Sequence, residues 1–173
     1  TTLSHYLSLP KSIYPVGRLD EKSEGLLLLT NDKVFKHQML NPQNLHFKHY
    51  WVQVEGNPTD EALDALRKGV EIRLKKVWHT TASAVVERIE EPILHDRIVR
   101  VDYNQKRGSR WLSIGLTEGK NRQIRKMTAA VGFPTVRLVR YRIEGLSLGE
   151  LPPGEFIEVS RNQAYRKANI NIV

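Results

Sequence analysis

Three short segments carry residues able to do chemistry. The first is Gly17-Arg18-Leu19-Asp20, followed by Gly25-Leu26-Leu27-Leu28-Leu29-Thr30-Asn31-Asp32. A polar loop bearing an acid, beside a glycine and a four-leucine strand that must be buried, places Asp20 at the edge of the core, where a carboxylate can work. An ordinary turn carboxylate is the plain alternative for an Asp among glycines. The second segment is Glu118-Gly119-Lys120-Asn121-Arg122-Gln123-Ile124-Arg125-Lys126. Gly119 and Asn121 can open a helix whose N-terminal amides, with Lys120 and Arg122, form a phosphate-binding end. Arg125 follows the core-facing Ile124 and can point along the helix flank into a cleft; surface cations are the alternative. The third is Lys48-His49-Tyr50-Trp51-Val52, where aromatic rings beside basic residues suit stacking on an unpaired nucleobase, although a core tyrosine would read the same way.

The elements around these segments follow from periodicity and punctuation. Thr30 or Asn31 is expected to cap a helix running to Leu40, stopped by Asn41-Pro42. Thr59 caps a second, with Asp60 and Glu61 in its first turn, Leu63 and Leu66 on one face and Gly69 as its exit. The third spans residues 121–131, with Ile124, Met127, Thr128 and Val131 on its core face and Arg122, Gln123, Arg125 and Lys126 elsewhere. Strands are expected over residues 50–55, 80–89, 97–103, 111–116, 136–143 and 156–159, with Arg140 and Arg142 on one sheet face. Between Tyr103 and Trp111, Lys106, Arg107, Gly108 and Arg110 read as a mobile basic hairpin. Strands dominate without regular β-α alternation, so the fold class is α+β with a mixed, largely antiparallel sheet.

Composition narrows the function. The 173 residues fit one compact domain, and the longest apolar run is far below the roughly 20 residues of a membrane span, which leaves no membrane partner. Without cysteine there is no disulfide, thiolate site or cysteine nucleophile, and with no signal-peptide layout at the N-terminus a cytoplasmic monomer is expected. The net charge of +8 is concentrated: residues 97–142 hold 12 Lys or Arg against two acids, Asp102 and Glu118. A polyphosphate backbone is the first partner such a stretch suggests. Six histidines, including His46 and His49, lack cysteine or acidic companions at ligand spacing, so they read as surface or stacking residues and no metal site is expected.

In order, GRLD with GLLLLTND, KHYWVQVEG, EGKNRQIRKM and GFPTVRLVRYRI resemble the pseudouridine synthases of the RsuA family, with the nearest likeness to its RluE branch. The resemblance implies the pseudouridine synthase fold, two half-lobes around a basic cleft, and isomerisation of a specific uridine in large-subunit (23S) ribosomal RNA, presented as a stem-loop. It implies Asp20 as the catalytic aspartate, Tyr50 as the tyrosine packing on the target base, and Arg125 as the arginine pairing with the aspartate. Arg18 matches the loop arginine that enters the stem where the base leaves, and Leu116 and Ile124 match apolar positions lining the pocket. Lys120, Asn121, Arg122 and Gln123, with Lys106 and Arg107, are the expected RNA contacts. The reaction is redox-neutral and calls for no cofactor.

Members usually begin with a further strand bearing Asn-Lys-Pro, so residues 1–173 are expected to form one catalytic domain lacking that strand. Two rivals stand beside this reading. One is a hydrolase using Asp20 with Glu21 or Glu24, which leaves the basic stretch unexplained. The other is a non-catalytic RNA-binding module or inactive fragment, which leaves the GRLD segment idle.

Overall fold

Alternation in one strand organises the molecule. In the structure, a computed structural model describing residues 7, 9–96 and 105–171, this strand is β4 (Lys48–Glu55). In chain order β1 (Tyr14–Pro15), β2 (Glu24–Gly25), β3 (Leu29–Thr30) and α1 (Lys33–Leu40) precede it. After it come α2 (Asp60–Lys68), β5 (Glu71–Leu74), β6 (Val77–Thr80), β7 (Val85–Ile89), β8 (Ser109–Leu116) and α3 (Gln123–Ala130). The chain then forms β9 (Thr135–Ile143), β10 (Leu146–Ser147) and α4 (Arg161–Lys167). A six-stranded sheet has the order β10-β9-β4-β8-β7, antiparallel throughout, with β2 added in parallel to β9. Two-stranded pairings join β1 to β3 and β5 to β6. The α+β class with a mostly antiparallel sheet is what the sequence predicts.

Tyr50, Val52 and Val54 fall on one face of β4 because side chains alternate, and both valines are completely buried. Leu63 and Leu66 of α2, with Ile124 and Met127 of α3, cover that face together with Leu112, Ile114 and Leu138. A second core holds Val16, Leu26, Phe35, Met39, Ile143 and Tyr165, with the Phe35 and Tyr165 rings 5.3 Å apart. On the other face of β4, Trp51 stacks on Tyr141 at 4.4 Å and His49 lies between Phe47 and Tyr141.

Several expectations change. The cap of α1 is Asp32, which accepts from the Val34 and Phe35 amides, because its carboxylate reaches both orphan donors while Thr30 Oγ1 serves Asp32 itself. The leucine run is not one buried strand; only Leu26 is buried, and strand pairing resumes at Leu29. The strand expected over residues 80–89 divides into β6 and β7, because the Thr81 amide and hydroxyl bond back to Val70 and turn the chain. Residues 156–159 form no strand, since Phe156, Ile157 and Val159 are exposed without a pairing neighbour. The strand expected over residues 97–103 lies outside the described residues. In the basic loop, Gln105–Arg107 forms a 3-10 turn, and Arg107 pairs with Glu55 at 3.0 Å.

Arg140 and Arg142 do not share a face. Arg140 stands opposite Tyr50 and Arg142 opposite the adjacent His49, so Tyr141 is the extra residue of a bulge. Since His49 and Tyr50 point to opposite faces, the two arginines do as well.

Candidate active site

The Asp20 loop is the tip of a hairpin whose stem is β1 and β3, extended by a Val16 amide bond to the Leu28 carbonyl. At the tip the Ser23 amide donates to the Asp20 carbonyl, and Gly17 takes φ +76°. The hairpin docks on β9 through β2. Leu26 N–H donates to the Arg140 carbonyl at 2.7 Å, and Gly25 lies so close that a Cβ there would stand 2.3 Å from the Arg140 oxygen. Only glycine fits, both for this approach and for its φ of +102°. Side chains reinforce the dock: Arg137 holds Glu24 with Nε at 3.1 Å and Nη2 at 2.8 Å, and Arg140 Nε donates to the Leu26 carbonyl at 2.9 Å.

This docking sets the Asp20 hairpin against β9, whose Arg140 lies opposite Tyr50 in register, although thirty positions separate Asp20 and Tyr50 in sequence. Burial raises the Tyr50 phenol above its ordinary value, the Arg140 guanidinium opposes that rise, and the Asp20 charge adds to it. The phenol is therefore protonated at neutral pH. Leu116 and Ile124 are buried in the core on which Tyr50 packs, as an apolar wall requires. Arg125, from α3, donates Nη2 to the Lys22 carbonyl at 2.6 Å and Nη1 to the Thr135 carbonyl at 3.3 Å. These two hydrogen bonds tie the Asp20 loop to β9 through main-chain carbonyls. Arg18 is exposed on the same loop.

The helix after Leu116 opens later than expected. Arg122, in a left-handed conformation, precedes the first turn of α3, and Lys120, Asn121 and Arg122 are exposed together. Gln123 is not an outward RNA contact. It is 4% exposed; its amide nitrogen donates to Glu118 at 2.6 Å and its oxygen accepts from the Lys120 N–H at 2.8 Å. Lys106 and Arg107 are exposed on the loop before β8. His46 is buried between the Gln38 carbonyl and Glu144, and no group of three metal-ligating side chains occurs among the described residues. A cavity of about 460 Å³ lined by Phe47, His49, Arg142, Glu144 and Lys167 opens on the opposite sheet face from Tyr50.

Sequence reasoning missed Arg137 and Arg140 as parts of the site. Their signal is three arginines, Arg137, Arg140 and Arg142, set among Val136, Leu138, Val139 and Ile143 in one strand, where burial gives no reason for so much charge.

Glu118 holds the loop before α3. Burial pushes its carboxyl up, but hydrogen bonds from the Ala82 N–H, Gln123 and His79 outweigh that and leave it below the ordinary 4.5. A lowered folded value stabilises the fold above the unfolded value and stops doing so as pH falls through the folded one. Glu118→Gln should therefore cost about 1–3 kcal/mol at pH 7 by denaturant unfolding, with the difference closing below about pH 4.5. A difference that stays constant with pH would assign the loss to shape and not to charge.

Comparison with known proteins shows the family and the fold. A family model described as RNA pseudouridylate synthase matches residues 2–130. The chain is 45% identical over 159 residues to the ribosomal large subunit pseudouridine synthase E of Vibrio vulnificus, covering 92% of this chain and 66% of that protein. It is 44% identical over 156 residues to the protein of the same name from Xanthomonas campestris pv. campestris, covering 90% of this chain and 81% of the relative. It thus spans just under two thirds of the Vibrio protein's length. A solved structure titled as a pseudouridylate synthase superposes with a TM-score of 0.77 at 25% identity, over 96% of this chain and 65% of that one. The family model over residues 2–130, with relatives 44–45% identical across nine tenths of the chain, places this chain in the RNA pseudouridylate synthase family.

Proposed function

We propose that this protein converts a uridine of large-subunit ribosomal RNA to pseudouridine, with Asp20 as the reacting carboxylate. The observation that carries the reading is the docking of the Asp20 hairpin on β9 through β2, beside the Arg140 side chain that lies opposite Tyr50 in register. The reaction breaks the bond from ribose carbon 1′ to ring nitrogen 1, turns the uracil and joins it through carbon 5, which loses its proton. An ionised Asp20 serves by attacking carbon 1′ or by removing a sugar proton. In this reading Tyr50 stacks on the base, and Arg18, exposed on the Asp20 loop, enters the stem that the base vacates. Flipping the base costs a few kcal/mol, which stacking and phosphate contacts offset.

The test is release of tritium from carbon 5 of uracil in a ribosomal RNA transcript. Release with formation of pseudouridine supports the synthase; RNA binding by folded protein without release favours a binding module. The electrostatic half of the reading is tested by salt. If about five of the cations Lys106, Arg107, Arg110, Lys120, Arg122 and Lys126 engage phosphates, the log-log slope of affinity against salt should be roughly −4 to −5 on duplex and −3 to −4 on single strands. A slope near zero removes phosphate contacts from the account.

A further inference from the structure

Arg140 is buried to 94% of its surface inside an apolar stretch of β9, between Val139 and the bulge. Its Nε serves the Leu26 carbonyl and its guanidinium also hydrogen-bonds the Tyr50 phenol, while its buried Nη2 has no hydrogen-bond partner among the described residues. An unmet guanidinium donor in a protein interior is costly, and a catalytic or ligand-binding role is one physical reason for a fold to keep one. The group lies on the Tyr50 side of the sheet, directly across from Tyr50 in register, and its charge and that of Asp20 both act on the phenol.

We infer that Arg140 is a catalytic residue whose Nη2 binds a carbonyl oxygen of the target uracil and stabilises the base as it leaves the sugar. The inference rests on the synthase reading. When the bond from carbon 1′ to nitrogen 1 breaks, its electron pair departs with the base, and the resulting uracil anion shares its charge between nitrogen 1 and the two carbonyl oxygens. The same anion bonds to the sugar through carbon 5, and the carbon 5 proton then departs. No oxidant or cofactor enters. A fixed positive donor, already desolvated and held by its Nε bond, stabilises that transient charge without reorganising.

The experiment compares single turnover at saturating RNA for wild type, Arg140→Gln and Arg140→Lys. Transcripts carry uridine or 5-fluorouridine at the target, and consumption of the original nucleoside is read by mass spectrometry after digestion. Fluorine makes the base a better leaving group, so less stabilisation is needed. Arg140→Gln should be slowed about a hundredfold or more on uridine but tenfold or less on 5-fluorouridine, with RNA affinity unchanged. Arg140→Lys keeps the charge and should recover part of the uridine rate. Equal slowing on both transcripts, or none, overturns the assignment and leaves Arg140 as a clamp for the Asp20 hairpin. If Arg140→Gln melts early, Arg140→Lys carries the same comparison, with the same unequal loss expected. Wild type inactive on both transcripts overturns the synthase reading, and this inference with it.

Discussion

Asp20→Asn is expected to abolish tritium release from carbon 5 while leaving the fold and RNA affinity in place. The substitution is nearly isosteric, and the loop hydrogen bond at this position uses the Asp20 main-chain carbonyl, so the turn does not depend on the carboxylate. What is lost is the charge and lone pair that attack the sugar or take its proton. Removing a group in that role costs at least about 10⁴-fold in turnover. A second readout is independent of turnover. The Asp20 charge contributes to the raised Tyr50 phenol, so the Asn variant should titrate Tyr50 at lower pH than wild type, followed by tyrosinate absorbance. A lower Tyr50 midpoint with lost turnover ties both effects to one carboxylate. Equal tritium release by the two proteins would remove Asp20 from the reaction.

The parts of the fold legible in the sequence are those where local pattern and burial agree. Thr59 caps α2 and Gly69 ends it as the spacing requires, because Leu63 and Leu66 give the helix a single apolar stripe. The opposite case is α4, whose sequence RNQAYRK has no stripe. Only the Ser160 and Gln163 capping box announces it, and Tyr165 packs on Phe35 while its hydroxyl reaches Asp32. The bulge at Tyr141 was hidden for another reason. One extra residue in a ladder leaves no compositional trace, yet it reverses the face of every later side chain and sends Arg142 away from Arg140.

The site divides in the same way. Asp20 and Tyr50 were visible as motifs, but nothing in their spacing relates them. What does is β2 lying parallel to β9, with Gly25 against the Arg140 backbone and Arg137 on Glu24, which docks the Asp20 hairpin on the strand that pairs with β4. Gln123 was misplaced because helical periodicity sets it beside exposed cations, whereas the Glu118 carboxylate draws its amide inward. Arg125 was legible as a cation on the flank of α3, whereas its hydrogen bonds to the Lys22 and Thr135 carbonyls, which hold the loop that carries Asp20, depend on contacts distant in sequence.

Tyr50→Phe and Tyr50→Ala separate two tasks of one ring. The phenol face stacks on the flipped uracil, and its oxygen can pass a proton as carbon 5 loses hydrogen. Burial keeps the phenol protonated at neutral pH, so the free enzyme presents a donor; the Arg140 charge beside it is what lets a proton leave transiently. Phe keeps the face and removes the oxygen. It should bind RNA nearly as wild type yet lose at least about a hundredfold in turnover, the low end of what a positioned acid or base contributes. Ala removes both and should in addition weaken RNA binding by roughly 1–3 kcal/mol, the value of one stacked base. Binding curves and single-turnover rates for the three proteins check both effects. Near-normal turnover by Tyr50→Phe would confine Tyr50 to stacking and send the carbon 5 proton to another acceptor.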